Sequence, residues 1–315
     1  MRWKWVIFLL LLPGLCSCGL ERLLMRNSDA RIGLEGITHV PQGTLVQVSY
    51  PVSTPNMEMR RMMVYLPKDY ASGDKHYPVI YLLHGARGNQ GAWTTRGQIH
   101  RIVDEVYSEP DAIPAIIVMP NMNQYDNDKD AGQSLGRRKG AFEALFEIDG
   151  TVESAFPQDV VRFVDTHFRT IPDKAHRAIA GLSIGGKQAM YISAAYPELF
   201  DYVGLFSPMF GSHIKKSEFS SIYKNIQEKL DAQFVNPPKL YMLAVGSGDI
   251  LYRATRHICN ILDRKKYPYV YLESEGGHNW KNWRDYLYLF LDCVFQEEPA
   301  SSGQTTPRDN DNPTP

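Results

Sequence analysis

The chain has 315 residues, 43% hydrophobic and 22% charged, with a formal net charge of −1. That supplies enough apolar material for a sizeable core without exotic staples, in one large α/β domain or two smaller domains. Lys and Arg are scattered rather than gathered into a basic stripe with aromatics, so no nucleic-acid partner is expected.

The chain opens with "MRWKWVIFLLLLPGLCSCG", in which Arg2 and Lys4 precede an apolar run from Trp5 to Leu12, then small residues and cysteines. The run is too short to span a bilayer and has the layout of a secretory signal. Residues 1–18 are therefore expected to be a signal peptide, and the protein to be exported, either periplasmic or a membrane-anchored lipoprotein. Leu15-Cys16-Ser17-Cys18 resembles a lipobox, with Cys18 as the lipid-bearing residue and the anchor as the sole membrane contact. Residues 19–42 read as a linker. The two remaining cysteines, Cys259 and Cys293, lie in helix-like stretches where a buried free thiol is ordinary, although an export compartment would permit a bond.

Residues 43–296 are expected to form the folded domain. Thr44–Tyr50 and Arg60–Leu66 alternate apolar and polar residues and read as antiparallel strands leading into a sheet. Pro78–Leu83, Ala115–Met119, Ala178–Ala180, Tyr202–Phe206, Leu240–Val245 and Tyr269–Leu272 are short continuous apolar runs, which fit strands buried on both faces. Three- and four-residue apolar steps predict helices over Pro157–Phe168, Gly186–Ala195, Tyr252–Lys265 and Asn282–Phe295. Strands alternating with helices imply an α/β three-layer sandwich: a mostly parallel sheet with helices on both faces.

One long stretch, Asn121–Gly150, has no clean period and follows a strand's C-terminal end, where open α/β sheets bind ligands. It is expected to form part of the rim of a site. Asp126, Asp128 and Asp130 within it superficially resemble a calcium loop. Ala131 stands where such a loop needs Gly, however, and Arg137 where it needs Glu, so a solvated acidic loop is expected and no metal. Residues 297–315, "EEPASSGQTTPRDNDNPTP", cannot bury enough apolar surface to offset ordering entropy and read as a disordered tail.

The chemistry centres on Gly181-Leu182-Ser183-Ile184-Gly185. The strand "HRAIAG" precedes it and the helix "GKQAMYISAAY" follows, so Ser183 occupies the strand–turn–helix corner of a nucleophile elbow. A serine hydroxyl needs a base and an oxyanion hole before it is a useful nucleophile. His278, in "ESEGGHNW", follows a strand and two glycines and is the expected base; His213 lies too near the preceding strand's exit and His257 lies within a helix. Asp249, in "AVGSGDILY", leaves the preceding strand and is the expected acid, with helix capping as its ordinary alternative and Asp263 and Glu273 as rivals. The order Ser183, Asp249, His278 is that of the α/β-hydrolases. "HGARG" after Leu83 offers the Ala86 amide as one oxyanion donor and Ile184 the other, while His84 reads as a loop-shaping residue. Met209, Phe210 and Trp280 are candidate substrate contacts at the same sheet edge, and Trp93 reads as core.

Taken in order, "YLLHGARGNQGAW", "AGLSIGGKQAMYISAAYPELF", "VGSGDILY" and "EGGHNWKNWRDYL" resemble the esterase D-like esterase family of α/β-hydrolases. Feruloyl and acetylxylan esterases of carbohydrate esterase family one, S-formylglutathione hydrolases, enterochelin esterases and mycolyltransferases belong to that group. The resemblance spans Gly43 to Phe295 and implies a serine carboxylesterase with no cofactor, with Ser183, Asp249 and His278 as its triad and Ala86 and Ile184 as oxyanion donors. For an exported member it implies acetyl or feruloyl esters on plant polysaccharide as substrate. A siderophore esterase of the enterochelin type and a catalytically silent binding protein are the alternatives.

Overall fold

The computed structural model describes residues 6–9, 42–53, 58–123, 148–211 and 217–296. Nine strands among them form one sheet: Val6–Leu9 (β1), Thr44–Pro51 (β2), Met59–Leu66 (β3), Val79–Leu83 (β4), Ile116–Pro120 (β5), Arg177–Leu182 (β6), Tyr202–Phe206 (β7), Leu240–Gly246 (β8) and Val270–Ser274 (β9). Their spatial order is β1-β9-β8-β7-β6-β4-β5-β3-β2. From β5 to β9 the neighbours pair in parallel, whereas β2 and β3 at one edge and β1 at the other pair antiparallel.

Every residue of β4 to β8 is buried, as expected for unbroken apolar runs covered on both faces. Strand alternation sorts them: Val79, Tyr81 and Leu83 face one core, Ile80 and Leu82 the other. The described helices are Ala92–Thr95 (α1), Ile99–Val106 (α2), Thr151–Phe156 (α3), Arg162–His167 (α4), Ile184–Ala195 (α5), Ile226–Gln233 (α6), Tyr252–Lys265 (α7) and Trp280–Cys293 (α8). Helices α5 and α7 supply Met190, Ile192, Ile258 and Leu262 to the first core. Helices α2 and α8 supply Ile102, Val103, Leu287 and Phe290 to the second. The result is the α/β-hydrolase sandwich.

Two of the differences from the sequence reading have clear physical causes. The helix expected from Pro157 begins six residues earlier and passes through a π-turn at Pro157–Val161, between α3 and α4. Proline lacks an N–H, so the widened turn accommodates it inside a continuous helical run instead of starting one. Helix α8 begins at Trp280 rather than Asn282, because the Asn279 side chain accepts the Asn282 amide at 3.2 Å and caps it. Val6–Leu9, inside the expected signal, pairs with Val270–Glu273 as an edge strand. Cys259 is buried, Cys293 half-buried, and both are free thiols. Cys16, Cys18, Asp126, Asp128, Asp130, His213, nearly all of the expected linker and residues 297–315 lie outside the described residues.

Candidate active site

Ser183 lies between β6 and α5 with φ 57° and ψ −116°, a left-handed backbone that a side chain adopts only under strain. Such strain costs on the order of 1–3 kcal/mol and persists only where surroundings enforce it. The enforcement is visible. The Ser183 amide donates to the Phe206 carbonyl at 2.8 Å, and its own carbonyl accepts the Met209 amide at 3.0 Å and the Lys187 amide at 3.2 Å. Close approach also needs glycine on both sides. A Cβ on Gly181 would stand 2.5 Å from the Gly185 carbonyl carbon and oxygen, and one on Gly185 would stand 2.4 Å from the His84 carbonyl oxygen.

His278 Nε2 lies 3.0 Å from Ser183 Oγ, and His278 Nδ1 lies 3.0 and 3.1 Å from the two Asp249 oxygens. A carboxylate can only accept, so Nδ1 carries the proton and Nε2 presents its lone pair to the serine hydroxyl. The loops bearing the two residues are tied by backbone: the Gly248 amide donates to the Gly276 carbonyl at 2.9 Å and the Ser247 amide to the Ser274 carbonyl at 2.8 Å. Asn282, buried, donates its amide group to the Glu275 and Gly277 carbonyls at 3.1 and 3.2 Å and shapes the turn before His278.

Asp249 serves two ends. One oxygen also accepts the Leu251 amide at 2.7 Å, so the capping alternative and the acid role coexist on one carboxylate. Burial opposes its charge, but the hydrogen bonds from His278, the Leu251 amide and the Ser207 hydroxyl outweigh that and hold the carboxyl below its ordinary range. Ser207 was not singled out in the sequence. It is fully buried after β7 with φ 45°, and the Trp283 indole N–H donates to its hydroxyl at 3.3 Å. Trp283 also stands edge-on to the His278 ring at 4.8 Å between centroids. The position of Ser207 directly after a strand at the same sheet edge was the available signal. Asp263 and Glu273, the rivals, instead accept from Tyr269 and from Tyr252 and Tyr271, and His257 is an exposed helix residue.

The Ala86 amide belongs to a turn closed by the Gly88 N–H donating to the Gly85 carbonyl at 3.0 Å. A Cβ on Gly85 would lie 3.3 Å from the Ser183 Cβ, so this turn lies against the serine. Ile184 opens α5, where the first amides of a helix have no intrahelical acceptor. The two candidate donors thus flank Ser183. His84 braces the turn: its Nδ1–H donates to the Gly85 carbonyl at 2.8 Å and its Nε2 accepts the Met122 amide at 3.0 Å. Acceptance at Nε2 requires the neutral ring, and burial pushes its pKa down to about 4 against the opposing bond to the Gly85 carbonyl.

Met209, whose amide meets the serine's carbonyl, and Phe210 are half-buried, and the Phe210 ring leans on His257 at 5.0 Å. Trp280 is half-buried and stands edge-on between Trp93 at 5.2 Å and Trp283 at 5.3 Å. Trp93 is fully buried, its indole N–H donating to the Leu83 carbonyl at 3.1 Å. Among the described residues no three His, Cys, Asp or Glu side chains are grouped to hold a metal ion.

Comparison with known proteins gives the family. Residues 53–289 match the model of the "Putative esterase" family. An endo-1,4-beta-xylanase/feruloyl esterase of Xylanibacter ruminicola is 33% identical over 172 residues, which are 53% of this chain and 22% of that much longer protein. An acetyl esterase of Caldicellulosiruptor saccharolyticus is 24% identical over 275 residues, 78% of this chain and 90% of its own length. Among solved structures, a ferulic acid esterase of Anaeromyces mucronatus in complex with ferulic acid superposes with TM-score 0.65 at 20% identity. That match covers 83% of this chain and 93% of the other.

Proposed function

The chain belongs to the "Putative esterase" family, and from that premise we propose that it is a serine esterase working through an acyl-enzyme. The observation that carries this is the continuous line Ser183 Oγ, His278 Nε2, His278 Nδ1, Asp249, each link about 3 Å long, on a strained elbow. Ser183 Oγ attacks the ester carbonyl carbon while its proton passes to His278 Nε2. The Ala86 and Ile184 amides stabilise the oxyanion, and Asp249 stabilises the imidazolium. When the tetrahedral intermediate collapses, the C–O bond to the alcohol breaks and the alcohol leaves with the proton from His278. Water, deprotonated by the same ring, then attacks the acyl carbon and releases the acid and Ser183.

Acetyl or feruloyl groups on plant polysaccharide are the proposed substrates. The relatives named feruloyl esterase and acetyl esterase support this, as do the half-buried Met209, Phe210 and Trp280 near the elbow. An aromatic acyl group buried there gains about 25 cal/mol per Å² of apolar area, which acetate largely forgoes. An exported location is part of the same reading, supported by the basic-then-apolar N-terminal stretch; N-terminal sequencing of protein from its native source tests it. Turnover of p-nitrophenyl acetate and methyl ferulate by wild type and Ser183→Ala tests the activity. The variant should lose about 10⁶-fold in kcat. A Ser183→Ala protein with near-normal turnover would end the proposal. Phe210→Ala should lower kcat/KM for methyl ferulate more than for the acetate, and equal losses would make Phe210 a packing residue.

A further inference from the structure

Arg87 is the residue that the reaction leaves unexplained. It is the third residue of the Gly85–Gly88 turn, with φ 60°, a position at which a turn of this kind favours Gly or Asn. Both flanks of the turn are pinned: Gly85 against Ser183 and His84, and Gly88 by the Asn123 amide group, which donates to its carbonyl at 2.8 Å. The arginine at the apex is exposed, and among the described residues its side chain makes no hydrogen bond, ion pair or ring contact. An arginine in left-handed backbone therefore stands one residue beyond an oxyanion donor with no structural partner among the described residues. Residues held in strained backbone concentrate at functional sites.

The connection that bears Arg87 has one sign of charge. From His84 to Gln98, where α2 begins, it contains Arg87 and Arg96 and no Asp or Glu. It runs from the oxyanion turn to Arg96, whose guanidinium lies over the Trp280 ring at 5.8 Å, two residues beyond His278. In the mechanism proposed above His278 hands its proton to the departing alcohol, which directs the alcohol half of the ester toward the loop of His278 and Trp280 that Arg96 overlies.

Resting on the esterase reading above, we propose that Arg87 is a specificity residue that binds a carboxylate on the alcohol half of the substrate, as on a uronic acid sugar. A guanidinium takes a carboxylate through two parallel N–H···O bonds, a geometry lysine cannot reproduce. The affinity this adds falls with salt, because the pair forms at an exposed rim.

The test uses two sugar esters with the same acyl group, methyl 2-O-acetyl-glucopyranoside and methyl 2-O-acetyl-glucopyranosiduronate, which differ only in CH₂OH against COO⁻. Wild type should favour the uronate in kcat/KM by about two- to fivefold at low salt, the range of an exposed ion pair, and the preference should shrink as salt rises. Arg87→Gly should bring the ratio near one and remove its salt dependence, Arg87→Lys should retain part of it, and Arg87→Gly should raise Tm by relieving the backbone. Three results would overturn the inference: no preference in wild type, an intact preference in Arg87→Gly, or equal losses on both esters with a lowered Tm. Ser183-dependent cleavage of the neutral ester without any preference sinks the carboxylate site alone. Failure to cleave either sugar ester by protein that turns over p-nitrophenyl acetate also sinks the carboxylate site alone, whereas failure on p-nitrophenyl acetate and methyl ferulate as well sinks the esterase reading with it.

Discussion

Ser183, His278 and Asp249 meet because each terminates or follows a different strand at one sheet edge, and the roles proposed for them rest on single atoms. Asp249→Asn can keep Oδ1 on the Leu251 amide at 2.7 Å yet replaces the charged carboxylate by a neutral amide and its second oxygen, 3.1 Å from His278 Nδ1, by an N–H donor. The ring would then turn its protonated nitrogen toward Ser183, and kcat should fall on the order of 10⁴-fold with little change in KM. Steady-state kinetics on p-nitrophenyl acetate check this, and a loss below tenfold would contradict the assigned acid. His84 makes a different prediction. Its pKa lies at about 4 in the fold against an ordinary 6.5, so below pH 6.5 the unfolded chain takes up a proton that the native state refuses. Stability is therefore fully present above pH 6.5 and is lost as pH falls toward 4, by about 3 kcal/mol in all. Urea unfolding at a series of pH values should show that slope in wild type and lose it in His84→Gln, whose side-chain oxygen can still accept the Met122 amide. A slope identical in both proteins would place the acid sensitivity elsewhere.

At the scale of elements, the closeness of α5 to the β4 turn is what brings the oxyanion donors to the serine. Gly185→Ala would set a methyl group 2.4 Å from the His84 carbonyl oxygen and 2.8 Å from that of Leu83, both backbone atoms that cannot swing aside. The overpacking should cost about 1–3 kcal/mol and, by moving the turn, lower kcat by more than tenfold while KM changes little. Kinetics together with thermal unfolding check it; unchanged kcat would detach the turn from the chemistry. Elements with a strong period were legible in the sequence, among them the buried strands and α7, because unbroken apolar runs and three-to-four spacing survive any tertiary context. Helix α2 carries the same spacing at Ile99, Ile102, Val103 and Val106, but two turns are too short for the period to stand out from the sequence around it. The π-turn at Pro157 was not legible, because proline is as good a helix start as it is an interior disturbance. Ser207 and Trp283 were missed for another reason. They act through Asp249 and His278 across distances of sequence that only the assembled sheet closes.

For the whole molecule, the parallel sheet and the chain order of the three site residues were readable together, since each candidate had its own strand to follow. The chemistry of the rim was not, because it depends on how turns from separate strands converge, as the Gly85–Gly88 turn and Asn123 do. Helix α8 and the β4–α2 connection likewise meet only in space, through Trp93, Trp280 and Trp283. The central claim is that one serine among the many in this chain carries the acyl group. Diethyl p-nitrophenyl phosphate tests it, because a serine activated as proposed displaces nitrophenolate and keeps the diethylphosphoryl group. Peptide mass mapping of the inactivated protein should find one such group, on the peptide containing Ser183, with its stoichiometry rising in step with the loss of esterase turnover. Inactivation with the label on another residue, or full labelling of Ser183 with turnover intact, would contradict the account.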